Sequence, residues 1–269
     1  MLIDFHTHAF PDAIAAKTIK ILEEKTENTV LAHTDGTVKG LLGSMEKSKV
    51  DVSVVCPIAT KVSQTNTINT FAKTLRDGKL ISFGSLHPDD PDAEGVLGRL
   101  CENGFRGIKL HPEYQQFFID SPEAVKIINK ARELSLTVVV HAGKDPAYTG
   151  EVHCSPERVK NLLNFVNGDN IVLAHLGGMG MWEDVEKYLV GTPVMMDTAA
   201  ISTAIDRELY REIVLEHGAD RILFGSDSPW EDPSDSLAAL KALRLPKADF
   251  EQITYKNACG LLGVKAVNQ

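Results

Sequence analysis

The stretch MLIDFHTHAF, residues 1–10, sets an apolar run directly against two histidines with one threonine between them. LIDF reads as a strand with both faces buried, because its apolar residues do not alternate with polar ones. Side chains two apart on a strand share a face, so Asp4, His6 and His8 are expected to point the same way, into the interior. From neighbouring levels of one strand, two imidazoles can grip a single cation. A lone buried histidine is ordinarily a hydrogen-bonded core residue, so the chemistry depends on what the other strands bring.

Seven further runs resemble the first: DVSVVC (51–56), LISFGSL (80–86), FRGIKL (105–110), LTVVV (136–140), NIVLA (170–174), PVMMD (193–197) and RILFGS (221–226). Between them lie amphipathic stretches with helix-start signals. Residues 121–134 open with Ser121 as cap, Pro122 at the first helical position and Glu123 in the first turn, and 155–166 repeats the device. Residues 204–218 end at a glycine, and 12–25, 38–49, 64–77, 91–103, 181–190, 234–244 and 247–263 supply more helices. Strands alternating with helices imply right-handed crossovers and a parallel sheet. Eight units in 269 residues predict an α/β fold, a single-domain (β/α)8 TIM barrel over 1–269, since such barrels run to about 250 residues. A glycine-rich dinucleotide fingerprint after the first strand is lacking, which removes the doubly wound rival.

In a barrel of this kind, working groups project from the carboxyl ends of the strands. Read in order, those ends carry His6 and His8, Pro57, His87, Lys109 and His111, His141, His175, Asp197, and Asp227. Seven of the eight ends therefore hold a group that can coordinate or titrate, and only His33, His153 and His217 of the nine histidines fall elsewhere. Imidazoles gathered this closely repel one another if protonated. A divalent cation relieves that by taking neutral rings and one carboxylate. Imidazole and carboxylate without thiolate suit zinc, with manganese, iron, cobalt and nickel as lesser options. Three histidines, an aspartate and a water leave an open coordination position, as catalysis requires.

Net charge is −9 and the pI is near 5.5, so no basic cluster is available for a phosphate backbone or an anionic membrane. The four cysteines, Cys56, Cys101, Cys154 and Cys259, are scattered and form no CxxC pair. That speaks against a disulfide framework and for a reducing, cytoplasmic location. No signal peptide and no run of about 18 apolar residues is seen, so no membrane span is expected. The expected partner is a small-molecule substrate, with no nucleic acid and no membrane, and a homodimer is a reasonable assembly for such a barrel.

DFHTH (4–8), GIKLHP (107–112), VVVHAG (138–143), VLAHLGG (172–178) and FGSDSPW (224–230) together resemble the amidohydrolase superfamily. The likeness is greatest to its amidohydrolase 2 branch, which includes decarboxylases related to aminocarboxymuconate semialdehyde decarboxylase. It spans the whole chain in the right order. It implies a site with one metal ion, held by His6, His8 and His141, with Asp227 as ligand, general base or both. It places His175 beside the metal's water, and in some members that histidine is itself a ligand. Lys109 departs from the members that carry a glutamate or a carboxylated lysine at this point. A plain ammonium facing a substrate carboxylate is the favoured reading of Lys109, and a carbamate the other.

The resemblance implies metal-assisted hydrolysis of a small amide, lactone or ester, including one that carries a carboxylate. The alternative is non-oxidative decarboxylation on the same site. Only 6% of residues are aromatic and the chain is compact, which tilts the reading to hydrolysis. His111, Tyr114 and Trp230, with Lys109, are expected to meet substrate; Gln115 is a further candidate for the pocket wall. Each has a plain structural alternative: His111 as a loop anchor, Trp230 and Phe117 as packing over the barrel mouth. His87 is read as a turn residue before Pro88-Asp89-Asp90, and Asp197 as a rim carboxylate or a cap for the loop behind it. Asp4 is read either as a group that orients His6 or a barrel neighbour, or as a solvent-facing strand start.

Overall fold

The computed structural model describes residues 1–76 and 78–265. Residue 77, the last position of the helix expected over 64–77, and residues 266–269 of the expected domain lie outside the described residues. The strands are β1 (Ile3–Thr7), β2 (Val52–Val55), β3 (Leu80–Ser82), β4 (Gly84–Ser85), β5 (Gly107–Leu110), β6 (Thr137–Val140), β7 (Ile171–Leu173), β8 (Met195–Asp197) and β9 (Ile222–Leu223). Every pairing is parallel, in the orders β1-β2-β3 and β4-β5-β6-β7-β8-β9.

Hydrogen bonds join the two sheets at both edges. β3 and β4 are one run interrupted at Phe83, whose N–H donates to Val55 O at 2.9 Å. Across the other seam Phe5 N donates to Phe224 O and Asp227 N to His6 O, each at 2.8 Å, and Thr7 bridges Ser228. Eight strand positions thus close on themselves, with a helix between most neighbours, as the alternating runs predict.

Helix caps follow the sequence signals. Ser121 accepts the Ala124 N–H before Pro122–Glu133, and Ser155 the Arg158 N–H before Pro156–Leu162. The latter helix ends four residues earlier than the expected 155–166.

Two apolar clusters fill the molecule. The larger lies between strands and helices and includes Ile108, Leu110, Val138, Val140 and Phe224 with Leu97, Ile128, Val185 and Ile213. The smaller takes the residues of alternate position, Ile3, Phe5, Val54, Phe83, Val139, Val172 and Leu223, and plugs the barrel interior. Above that plug the same inward-facing positions carry Lys109 and His141.

The shared face expected for Asp4, His6 and His8 needs correction. The β1–β2 register shifts between Asp4 and Thr7, which is a bulge. Ile3 and Phe5 face the interior plug, whereas Asp4 accepts from Ser226 N (2.9 Å) and Ser226 Oγ (2.5 Å) in the wall. Beyond the bulge His6 and His8 turn inward. Asp4 is fully buried, not solvent-facing, and burial pushes its carboxyl up to about 7. It ties β1 to the segment that carries Asp227, a barrel neighbour, and also accepts the His6 backbone N–H at 3.3 Å.

Candidate active site

The strand ends build a floor of histidine rings around the Asp227 carboxylate. His6 Nδ1 donates to Asp197 Oδ2 at 2.8 Å, which leaves the lone pair of a neutral ring on Nε2. That lone pair meets Lys109 Nζ at 2.9 Å and Asp227 Oδ1 at 3.3 Å. His8 Nε2 lies 3.0 Å from the same Asp227 oxygen. Burial, and then the Lys109 ammonium, push the His6 ring down to about 4. Burial alone would raise the Asp227 carboxyl, but facing His6 and His8 hold it well below the usual carboxylate range.

A second pair stands beside the first. His175 Nδ1 donates to Ala199 O at 2.8 Å, so its Nε2 carries the lone pair, aimed at His141 Nδ1 at 2.9 Å. His141 Nε2 is buried without a partner, 3.9 Å from Asp145 Oδ2. Burial and the stacked His111 ring keep His141 well below the ordinary imidazole range.

These contacts test whether the floor suits a divalent ion. A lone pair faces a carboxylate oxygen at 3.3 Å between His6 and Asp227. If His141 keeps its proton on Nε2, toward Asp145, two lone pairs face each other across the His141–His175 gap. A divalent cation makes both arrangements favourable, taking the place of the proton that Lys109 donates to His6 Nε2. The donor set fits.

His6, His8 and Asp227 offer ligand atoms that lie within 4.8 Å of one another, so three of the four expected ligands come together directly. His141 does not sit in that trio. It groups with His111 and Asp145 and reaches the trio through His175, whose ring centroid is 5.7 Å from that of His6. The His111 and His141 rings are stacked at 4.1 Å and 10°, and with Asp145 they form a second group whose ligand atoms lie within 4.8 Å of one another.

Backbone shape sets these positions. His175, Leu176 and Gly177 all have left-handed φ (60°, 53° and 81°), as does Asp227 (67°). Such strain in non-glycine residues costs of order 1–3 kcal/mol each and persists only where surroundings impose it. Asp197 supplies part of that hold, since its Oδ1 accepts from His175 N (3.1 Å) and Ala199 N (3.0 Å). It therefore both caps the loop and orients His6.

A cavity of about 1340 Å³ opens above the floor, and Lys109, His111, Tyr114 and Trp230 all line it. Burial lowers the proton affinity of Lys109, which is 1% exposed with its amine on His6. His111 anchors its loop, its Nδ1 accepting from Tyr114 N, and its ring lines the cavity. Gln115 is a correction. Its amide clamps the loop, accepting from His111 N and donating to Ala59 O and Leu86 O, and is not part of the wall. His87 accepts the Asp89 N–H within its turn, as read. Asp145, Tyr148, Glu113 and His33 also line the cavity and were not singled out from sequence. Asp145, Tyr148 and His33 lie on irregular loops and Glu113 on the single-turn helix Pro112–Gln115, with no periodicity to mark them; Asp145 follows His141 by four residues, the one available hint.

The sequence profile of the amidohydrolase family matches residues 3–264. The chain belongs to the amidohydrolase family. Its membership makes it one of a family of metal-dependent enzymes, in keeping with the donor set on the floor. Among curated proteins, none matches this amidohydrolase by sequence. Solved structures similar to it include 2,6-dihydroxybenzoate decarboxylase from Rhizobium (15% identity, 98% of this chain and 99% of that one, TM-score 0.67). Another is 5-carboxyvanillate decarboxylase from Novosphingobium aromaticivorans, solved with bound manganese (14% identity, 98% and 97%, TM-score 0.71). A third is a Pseudomonas putida protein assigned as a 2-pyrone-4,6-dicarboxylic acid hydrolase (15% identity, 98% of each chain, TM-score 0.67). At this identity the likeness speaks to the barrel fold. Among the described residues no helix is long and apolar enough to cross a membrane.

Proposed function

We propose that this amidohydrolase is a metal-dependent hydrolase that cleaves a small-molecule amide, lactone or ester. The observation that carries the reading is the meeting of His6 and His8 ring nitrogens with one Asp227 carboxylate oxygen, at 3.3 and 3.0 Å, beneath an open cavity. His6, His8, Asp227 and His141 would hold one divalent ion. Zinc is the first choice for imidazole and carboxylate donors, and manganese the next. When bound, such an ion supplies an acidic water and an electrophile for a carbonyl oxygen.

The chain's own groups do the rest. Asp227, ionised at neutral pH, takes the proton from the attacking water and passes it to the leaving group. His175 offers a lone pair at Nε2, so in its neutral form it accepts a proton or a ligand bond. It can donate to a developing oxyanion only as imidazolium. Lys109 stands as a plain ammonium against His6, and it, His111, Tyr114 and Trp230 face the substrate. A cytoplasmic location, a homodimeric assembly and no nucleic-acid or membrane partner complete the reading, in line with a net charge of −9.

Non-oxidative decarboxylation is the second reading, favoured by the names of two of the similar structures. A panel of lactones, esters, amides and aromatic carboxylic acids, followed for acid release and for carbon dioxide, separates the two. Metal analysis of the purified protein should find close to one equivalent. Carbon dioxide release without any acid release would replace hydrolysis by decarboxylation.

A further inference from the structure

The cavity above the floor is larger and greasier than a small substrate needs. At about 1340 Å³ it exceeds the range of about 300–1,000 Å³ that holds drug-sized ligands. Its charged groups lie on the floor, on the loop after β6 at Lys144, Asp145 and Glu151, and at Glu113 and Glu231. Two helices and their flanking loops build a wall without charged groups, where apolar residues are interleaved with Thr18, Thr26, Asn28, Thr60, Gln64 and Thr67.

On the helix Asp12–Lys25, Ala15 and Ile19 are buried against the barrel. One position back, Ile14, Thr18 and Leu22 recur every four residues and line the cavity. On the helix Thr65–Thr74, Ile68 and Phe71 face the cavity in the same manner, and Leu31 closes the wall from the following loop. Ile14 is 49% exposed and Leu31 58%, so this apolar face is left to water in the free protein. A surface helix of this kind ordinarily turns polar residues to solvent. An apolar stripe continuous with a reactive floor, and walled on its far side by charge, fits a ligand with one polar end and one apolar side.

We propose that the substrate is an amphiphile: a carbonyl or carboxyl head on the floor, bearing an apolar body that lies along the Ile14–Leu22 and Ile68–Phe71 stripes. The eight steps from Ile14 to Leu22 span roughly 12 Å, the reach of an extended alkyl body of about eight to ten carbons or a fused-ring body of similar length. The inference rests on the reading that the His6–Asp227 floor is the reacting centre, and it adds what the substrate carries beyond that point. Single-ring acids would fill only the lower part of such a cavity.

The probe is a series of straight-chain carboxylates, butyrate to decanoate, titrated calorimetrically into the metal-containing enzyme. Affinity should rise about three- to fourfold per added methylene over the length of the stripe. Leu31→Asp and Ile14→Asp, at exposed positions where folding is not at stake, should weaken decanoate at least tenfold more than butyrate. A flat series, or one that weakens with length, overturns the proposal. So does a sedimentation experiment in which Leu31→Asp dissociates an oligomer, because a second copy of the chain then covers the stripe. Homologous γ-lactones keep the two ideas apart. Hydrolysis of short lactones with a flat carboxylate series retains the hydrolase and removes the amphiphile. A steep series without turnover of any lactone, ester or amide retains the amphiphile and removes hydrolysis. An ester series that matches the alkyl slope while polycyclic lactones fail assigns the body as acyl chain rather than fused ring.

Discussion

His6 Nδ1 and Asp197 Oδ2 lie 2.8 Å apart, both side chains buried, across 191 residues of sequence. The carboxylate can only accept, so it holds the His6 proton on Nδ1 and the lone pair on Nε2, toward the floor. Asp197→Asn puts an amide at that carboxylate, while a carbonyl oxygen remains for His175 N and Ala199 N. Groups that orient a metal-bound imidazole typically contribute ten- to a hundredfold in metal affinity. The variant should fold and lose metal to a competing chelator about ten to a hundred times more readily. Metal affinity equal to the parent's would mean that Asp197 only caps its loop.

Asp227 carries the proton-transfer role, and its substitution separates chemistry from folding. Its backbone N–H donates to His6 O, a bond that Asp227→Asn retains. The neutral amide cannot take a proton from water. Turnover on a confirmed substrate should fall by about 10²–10⁴ or more, the usual worth of a positioned acid–base group. The midpoint of thermal unfolding in the presence of metal reports whether folding is preserved. Normal turnover would assign the base elsewhere, with His175 next in line.

The barrel and most of its floor can be read from sequence because buried parallel strands leave two plain marks. Their apolar runs do not alternate, and the first polar residue after each run falls at the carboxyl end. His111, His141, His175 and Asp227 all stand where that rule puts them, and His6 and His8 follow it too, while Lys109 lies inside its strand. The bulge in β1 does not show, because a strict period of two has no place for an extra residue. Asp4 and His6 therefore read as one face while the fold sends them to different ones. Asp145 and Tyr148 belong to a loop shaped by contacts with other loops, and no local pattern encodes those.

Glu113 gives the molecule a pH-dependent liability beside the cavity. Its Oε1 accepts His153 N at 2.9 Å, its Oε2 is buried without a partner, and burial pushes the carboxyl up from 4.5 to about 7. A carboxyl that binds its proton more tightly when folded favours folding below the unfolded value and loses that advantage as pH rises through the folded one. The loss thus falls between about 4.5 and 7, and above it the buried charge costs on the order of 1–3 kcal/mol. Glu113→Gln should unfold at higher denaturant than the parent at pH 8, with that advantage shrinking toward pH 4.5. Denaturant titrations of both proteins at the two pH values measure it. An equal difference at both would show that Glu113 is not the source.

Gly143 holds the two histidine-bearing loops together. It follows His141 by two residues, and its partner Met179 follows His175 by four. Met179 N donates to Ala142 O, and Lys144 N to Met179 O, each at 2.9 Å. A Cβ on Gly143 would stand 2.1 Å from Met179 N and 2.5 Å from Gly178 C, and φ is +84°. Neither neighbour is the end of a flexible side chain, so the backbone itself must move. Left-handed strain alone costs roughly 1 kcal/mol, and displaced backbone adds to it. Gly143→Ala should destabilise the protein by about 2–4 kcal/mol. It should also depress kcat in the surviving folded fraction, because the 2.9 Å meeting of His141 Nδ1 and His175 Nε2 depends on that strap. Gly98→Ala is the control: it lies within the helix Ala93–Glu102 with open space around it, and should stabilise by about 0.5–1 kcal/mol. A Gly143→Ala protein as stable and as active as the parent would show that the close approach of the two loops does not set the floor.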